Sequence, residues 1–208
     1  MCSKPKGVSG IILAGGASVR LGEDKALVEV AGRPLVERVV EVLRPLADEL
    51  VLVTPSPERL AWLGRPAVGD VSPGIGPLGG LHAGLNVIQS PYGLVVGCDM
   101  PFLNRDLLAY MISQTGDAEV VMPRVGRFYE PLHAIYARSA LPILEQRILD
   151  GQRRIRQACA GLRTRYILEH EIAAYDPDHL SFFNVNTPED LARARAVLED
   201  VKMERLEG

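Results

Sequence analysis

The chain has 208 residues, 47% of them hydrophobic, and a formal net charge of -3 at pH 7, so it can close one core without staples and needs no second domain. A slightly acidic balance with 5% aromatic residues argues against a nucleic-acid surface, whose footprint is a basic stripe with stacking aromatics. Cys2, Cys98 and Cys159 are scattered without metal-ligand spacing, no apolar run approaches the ~20 residues of a membrane span, and no signal peptide is visible; a protein of the reducing cytoplasm is expected.

Residues 1–7 read as a flexible start, and residues 8–13 as a strand buried on both faces of a parallel sheet. That strand runs into the paired glycines Gly15 and Gly16. Pro34 suits the first turn of a helix, followed by Leu35, Val39, Leu43 and Leu46 at helical spacing. Residues 49–54 (ELVLVT) predict the next strand, 55–63 a turn and short helix, and 66–70 another short strand. Residues 70–80 (DVSPGIGPLGG) are too rich in glycine and proline for regular structure and long for a connection, which suggests a functional loop rather than a plain turn. Leu81, Leu85 and Ile88 then mark a helix, and residues 92–97 a strand ending in Cys98-Asp99-Met100-Pro101.

Asn104 reads as the N-cap of a helix through Leu107, Leu108, Met111 and Ile112, and residues 118–122 return to strand. To this point the order is doubly wound. Beyond Arg124 the pattern changes: residues 131–137 (PLHAIYA) alternate like a strand, 140–149 and 153–159 read as helices, and 164–169 as a strand. Thr187-Pro188-Glu189-Asp190 caps a last helix through Leu191, Ala194 and Leu198, with a frayed tail at residues 201–208. The class is α/β, with a mostly parallel sheet between two helical layers, in a single domain spanning residues 8–200.

The segment from Leu13 to Lys25 holds three glycines, a hydroxyl at Ser18 and cations at Arg20 and Lys25, the makings of an anion-binding loop, with a structural glycine turn as the plainer reading. It is not a P-loop, because Lys25 lies three residues beyond Gly22 instead of following it, and the absence of GxGxxG disfavours a nicotinamide site. Ligands of open α/β sheets collect at the carboxyl ends of the strands, where the glycine loop, residues 70–80 and Asp99 all emerge. Asp99 suits Mg²⁺, which binds through one or two carboxylates plus phosphates and waters; a turn or capping aspartate is the alternative. His82, His133, His170 and His179 lack ligand spacing and read as structural.

Leu13-Ala14-Gly15-Gly16-x-Ser18-x-Arg20-x-Gly22-x-Asp24-Lys25, Gly76-Pro77-Leu78-Gly79-Gly80, Asp99-x-Pro101, Pro131-Leu132 and Asn184-Val185-Asn186-Thr187-Pro188 occur in one order. This set resembles the molybdenum cofactor guanylyltransferase family, nucleotidyltransferases of glycosyltransferase-A-like fold, over nearly the whole chain. Leu21 stands where methionine is usual and Gly79 where alanine is common, and neither touches the charged groups. The resemblance implies transfer of GMP from GTP to the terminal phosphate of molybdenum-bound molybdopterin, with residues 8–123 as the nucleotide-binding half and 124–200 as the acceptor-binding half.

By the same resemblance Leu13, Ala14, Gly15, Gly16 and Ser18 lie against the nucleotide, Arg20 and Lys25 neutralise the triphosphate, and Asp70 with Gly76, Pro77, Leu78 and Gly79 forms the nucleoside side. Thr54 occupies the place of a further nucleotide contact. Asp99 is similar to the magnesium ligand, and Asn184, Asn186 and Arg154 to residues near the acceptor, although Asn186 can equally pin the turn before the last helix. Arg124, Arg127, Arg153, Arg154, Arg156, Arg163 and Arg165 read as a solvated surface or as a face toward the pterin or a partner. The implied partners are GTP, molybdenum-molybdopterin, and in passing cofactor-biosynthesis proteins or recipient molybdoenzymes. Competing readings are a related cytidylyltransferase, disfavoured by the paired Gly15-Gly16 where the cytidylyl relatives resemble Leu-Ala-Ala-Gly, a sugar-phosphate nucleotidyltransferase of the same fold, and a non-catalytic cofactor adaptor, disfavoured by Arg20, Lys25 and Asp99 occurring together.

Overall fold

A computed structural model describes residues 7–15, 24–69 and 74–207. Strand β1 (Val8–Leu13) is followed by a hairpin of β2 (Glu29–Val30) and β3 (Arg33–Pro34), helix α1 (Leu35–Leu43), β4 (Leu50–Val53), β5 (Ala67–Val68), α2 (Pro77–Val87) and β6 (Tyr92–Gly97). Then come α3 (Arg105–Ser113), β7 (Val120–Val125), β8 (Phe128–Tyr129), β9 (His133–Ala137), α4 (Leu141–Leu149), α5 (Ile155–Ala158), β10 (Thr164–Leu168), α6 (Glu169–Ile172) and α7 (Pro188–Glu207). The main sheet has eight strands in the order β10-β7-β9-β6-β1-β4-β5, with β8 paired to β7.

Strands β5, β4, β1 and β6 are mutually parallel, whereas β9 is antiparallel to both β6 and β7. Two reversals restore the direction, so β7 and its parallel neighbour β10 run the same way as β6. Side chains alternate across each strand, as the period of two requires. Ile12, Leu52, Leu94 and Val96 pack under α1, α3 and α6, and Ile11, Val51, Val53 and Val95 under α2, α4 and α5. These are the expected three layers.

Local differences from the sequence expectations have physical causes. Residues 77–80 are the first turn of α2, not part of an irregular loop, because Pro77 starts the helix and Gly80 and Gly84 let it lie close to the sheet. A Cβ at Gly80 would sit 3.3 Å from Leu13 Cδ2, and one at Gly84 only 2.4 Å from Ile11 Cγ2. Helix α1 ends at Leu43, so Leu46 is buried from the turn that follows, and Pro34 closes β3 ahead of the helix. The β2–β3 hairpin turns through Ala31 and Gly32 at φ 50° and 73°, the left-handed pair of a tight hairpin. Helix α7 continues through the expected frayed tail to Glu207, in keeping with the strong helix formers there. Among the described residues no helix is long and apolar enough to cross a membrane.

The edge strand β10 is fastened by Glu171, whose carboxylate accepts from the Tyr110 hydroxyl at 2.5 Å and from the Leu168 N–H at 2.9 Å and pairs with Arg165. Burial alone would raise this carboxyl, but Arg165, Tyr110 and the Leu168 N–H outweigh it and hold the pKa at about 2, against an ordinary 4.5. A carboxyl depressed on folding contributes stability that is complete above its unfolded pKa and lost as pH falls toward the folded one. Glu171→Gln should therefore cost about 1–3 kcal/mol near neutral pH. In urea titrations the gap between wild type and variant should close as the pH is lowered from about 5 toward 2.

Candidate active site

Three strand ends stand level: Leu13 is in register with Val53 of β4 on one side and Gly97 of β6 on the other. The ladder continues one step further, with Ala14 N–H donating to Val53 O at 2.8 Å and Cys98 N–H to Leu13 O at 3.1 Å. The chain therefore leaves three neighbouring strands at the same height, and the space above is a cavity of about 470 Å³, within the size range of small-molecule sites. Its apolar side is built by Leu13, Ala14, Gly15, Val53, Thr54 and Pro55, and its far side by Gly74, Gly76, Pro77 and Gly80. Asp24, Lys25, Cys98 and Asp99 supply the polar side, and Leu132 closes the wall.

Lys25 opens a short 3₁₀ turn, Lys25–Leu27, capped by Asp24, whose Oδ1 accepts from the Ala26 N–H at 3.1 Å. In the cavity wall the Lys25 ammonium is 3.2 Å from Asp99 Oδ2 and also donates to Asn186 Oδ1. Both partners of the Lys25–Asp99 pair are about one-fifth exposed. Asn186 is brought there by two devices: Val185 N–H donates to Asp99 O at 2.9 Å, and Asp190 Oδ2 accepts from the Asn186 and Thr187 N–H groups at 3.0 and 2.9 Å. With Asp190 N–H donating to the Thr187 hydroxyl at 3.2 Å, the expected cap of α7 is formed and also holds the amide that meets Lys25.

Of the residues singled out from the sequence, Leu13, Ala14, Gly15, Lys25, Thr54, Gly76, Pro77 and Asp99 meet at the cavity. Leu78 does not, because on the first turn of α2 its side chain points into the core, and Gly79 is likewise buried, leaving Gly80 on the wall. Gly16, Ser18, Arg20 and Asp70 lie outside the described residues. Asn184 sits in the turn against Asp99, with its Nδ2 donating to Phe182 O at 2.8 Å. Arg154 caps the start of α5, away from the cavity wall.

Gly80, at the end of the segment expected on the nucleoside side, lines the cavity, as do Asp24, Pro55, Cys98 and Leu132, which were given no role in the sequence although Asp24 and Leu132 stand inside the quoted motifs. Burial pushes the Cys98 thiol well up, so it serves as packing. His133 on β9 is fully buried, edge-to-face with Phe182 at 5.0 Å, and burial lowers it to about 4, so it stays neutral in the structural role expected. Among the described residues no three His, Cys, Asp or Glu side chains cluster as a metal site. The arginines of the second half are more engaged than a free surface: Arg156 lies 4.1 Å over Tyr129, Arg163 pairs with Glu119 at 3.3 Å, and Arg165 pairs with Glu171.

A level set of parallel strand ends, a cavity of small-molecule size and an ammonium facing a carboxylate suit a phosphorylated ligand. Residues 10–170 match the MobA-like NTP transferase domain. The chain belongs to that family. A probable molybdenum cofactor guanylyltransferase of Pelotomaculum thermopropionicum is 35% identical, the match covering 95% of this chain and 97% of that protein. A molybdenum cofactor guanylyltransferase of Desulfosudis oleivorans is 37% identical over 92% and 96% of the two chains. The crystal structure of molybdopterin-guanine dinucleotide biosynthesis protein A from Archaeoglobus fulgidus superposes with a TM-score of 0.80 at 30% identity, covering 92% of this chain and 99% of that one. The architecture is thus the glycosyltransferase-A-like nucleotidyltransferase fold, and this member of the family is a nucleotidyltransferase.

The cap of α7 is the joint that holds Asn186 on Lys25, and it can be tested apart from any ligand. Burial alone would raise the Asp190 carboxyl, but hydrogen bonds from Asn186 and Thr187 keep it below its ordinary value. Asp190→Ala should cost about 0.5–2 kcal/mol by chemical denaturation, the range of a lost helix cap. Asp190→Asn, which can still accept both N–H groups, should cost less.

Proposed function

We propose that the protein transfers GMP from GTP to the terminal phosphate of molybdenum-bound molybdopterin, giving molybdopterin guanine dinucleotide and pyrophosphate. The observation that carries this reading is the meeting of Lys25 and Asp99 in the wall of a cavity at the level carboxyl ends of β1, β4 and β6. The names of the relatives supply the nucleotide and the acceptor; the geometry supports a triphosphate and a cation.

The nucleoside rests against Leu13, Ala14, Gly15 and Thr54, with Gly76 and Pro77 opposite at the N-terminus of α2. That eleven-residue helix adds the partial positive charge of its first turn to the Lys25 ammonium. From the family resemblance Arg20 is assigned to the same triphosphate, Gly16 and Ser18 to the nucleotide, and Asp70 to the nucleoside side. Asn184, Asn186 and Arg154 are assigned to the acceptor side. Strand β7 runs with β6, so Arg124 at its end and Arg156 over Tyr129 stand on the same edge of the sheet as the cavity. They add positive charge on the side from which an anionic pterin phosphate would approach. Passing contact with recipient molybdoenzymes or cofactor-biosynthesis proteins belongs to that same half, and the unpaired buried thiols Cys98 and Cys159 suit a reducing cytoplasm.

The donor set fits Mg²⁺. A carboxylate at Asp99 and an amide oxygen at Asn186, already converging on one cation at Lys25 Nζ, are the hard oxygen donors it prefers, and the remaining positions fall to phosphates and water. When bound, the metal neutralises triphosphate charge. The side chains do the rest by position. The acceptor phosphate is already an anion near neutral pH, so no residue needs to remove a proton. Its oxygen forms the new bond to the α-phosphorus of GTP, the bond from that phosphorus to the bridging oxygen breaks, and both electrons leave with pyrophosphate. Lys25 holds charge as it builds on the leaving group, and holding the reactants in line is worth on the order of 7–11 kcal/mol.

Two measurements test this reading. Thermal shifts with GTP, CTP, ATP and UTP, each with and without Mg²⁺, should show stabilisation by GTP that depends on the metal, near 2.7 kcal/mol at about one hundred times the dissociation constant. Stabilisation by CTP alone would move the protein to cytidylyl transfer, and no response to any nucleotide would favour a non-catalytic adaptor. In a turnover assay following pyrophosphate release from GTP and molybdenum-molybdopterin, Lys25→Ala and Asp99→Ala should each lose at least about a hundredfold in rate while the fold is retained. Near-normal turnover in either variant would refute their assignment.

A further inference from the structure

Asp24 poses an electrostatic problem. Its carboxylate is in the wall of the cavity, beside Lys25, where a polyanion would have to sit. One oxygen, Oδ1, is committed to the Ala26 N–H at 3.1 Å as the cap of the Lys25–Leu27 turn. The other, Oδ2, is 3.0 Å from Arg59 Nη1, on the 3₁₀ turn Pro57–Leu63. That turn follows β4 and the cavity residues Val53, Thr54 and Pro55. The bridge therefore ties the segment carrying Lys25 to the segment carrying the nucleoside wall. Asp24 and Lys25, adjacent in the chain, thus have separate partners, Lys25 pairing with Asp99 and Asp24 with Arg59.

We propose that Arg59 is a positioning residue of the nucleotide site: bridged to Asp24, it neutralises a carboxylate that would otherwise repel the triphosphate and fixes the turn that aims Lys25. The inference rests on the reading of the cavity as a nucleoside triphosphate site, and it assigns Arg59 no direct contact with the ligand. Arg59 is half exposed, so the bridge itself is of modest strength; its effect is felt as the charge and placement of the two residues beside the ligand. A lysine at the same position would keep the charge and lose the planar fork of the guanidinium.

Calorimetric titration of GTP with Mg²⁺ into wild type, Arg59→Ala, Arg59→Lys, Asp24→Asn and the Asp24→Asn/Arg59→Ala pair tests the proposal. Arg59→Ala should weaken binding by about three- to tenfold, with the melting midpoint of the ligand-free protein unchanged to within about 2 °C. Arg59→Lys should recover most of that loss. Asparagine remains a good cap, and in the Asp24→Asn background there is no carboxylate to mask, so removing Arg59 there should change affinity by less than about twofold. The same loss in both backgrounds would show that Arg59 acts without Asp24 and overturn the proposal, as would wild-type affinity in Arg59→Ala. If Arg59→Ala proves unstable, Arg59→Gln takes its place in the same cycle, with the same loss expected and the same results overturning the proposal. Failure of wild type itself to bind any nucleoside triphosphate would instead remove the reading of the cavity on which the inference rests.

Discussion

The Lys25 ammonium is the point on which the architecture converges. Asp99 is 74 residues away in the chain and Asn186 is 161 away, yet both put an oxygen on the same nitrogen. A cation and a carboxylate that are each about one-fifth exposed have given up much of their hydration, and only good geometry with additional partners offsets that cost. The partners are supplied by backbone order: β1 and β6 lie side by side and end level, and the Val185 N–H fastens the segment before α7 to the Asp99 carbonyl. The cavity is consequently the place where the first strand, the fourth parallel strand and the start of the last helix are all registered against one another.

Much of this frame was legible in the sequence where one local signal suffices. Residues 8–13, 50–53 and 92–97 are short, mostly apolar runs bounded by turn residues, the pattern of a strand covered on both faces. Asn104 and Thr187-Pro188-Glu189-Asp190 announce helix starts because a cap is satisfied within four residues. The start of α2 was misread because composition there reflects a tertiary demand. Gly80 and Gly84 are present so that the helix can touch Leu13 and Ile11, and glycine looks the same in a sequence whether it permits a turn or a close approach. The β2–β3 hairpin was missed for a related reason: its strands are two residues each, and Ala31-Gly32 is a weaker signal than Asn-Gly.

The site divides along the same line. Lys25 and Asp99 were found because a charge immediately after a buried strand, or beside a glycine loop, has few structural reasons to be there. Asp24 and Leu132 were not, because their membership of the cavity depends on which way neighbouring residues turn. Leu78 shows the converse: it lies inside a motif, yet a helical turn of about 100° per residue carries it from the cavity side into the core. The motif marks a segment, and the helix decides which of its residues face the ligand.

The reversed strand β9 explains why an otherwise parallel sheet changes character in its second half. A parallel strand offers its carboxyl end to the crevice and then sends the chain away into a helix. Because β9 is antiparallel to β6, its beginning lies at that edge, with His133 beside Val96 and Leu132 O accepting from the Gly97 N–H at 3.3 Å. The chain therefore returns to the cavity after β7 and β8 and places Leu132 in its wall. A second antiparallel step then restores the direction in β7, so Arg124 and the arginines around Tyr129 sit on the same edge as Asp99. One strand of opposite sense between β6 and β7 thus leaves the carboxyl ends of β1, β4, β6, β7 and β10 on one edge of the sheet, where an α/β fold of mostly parallel strands collects its ligands.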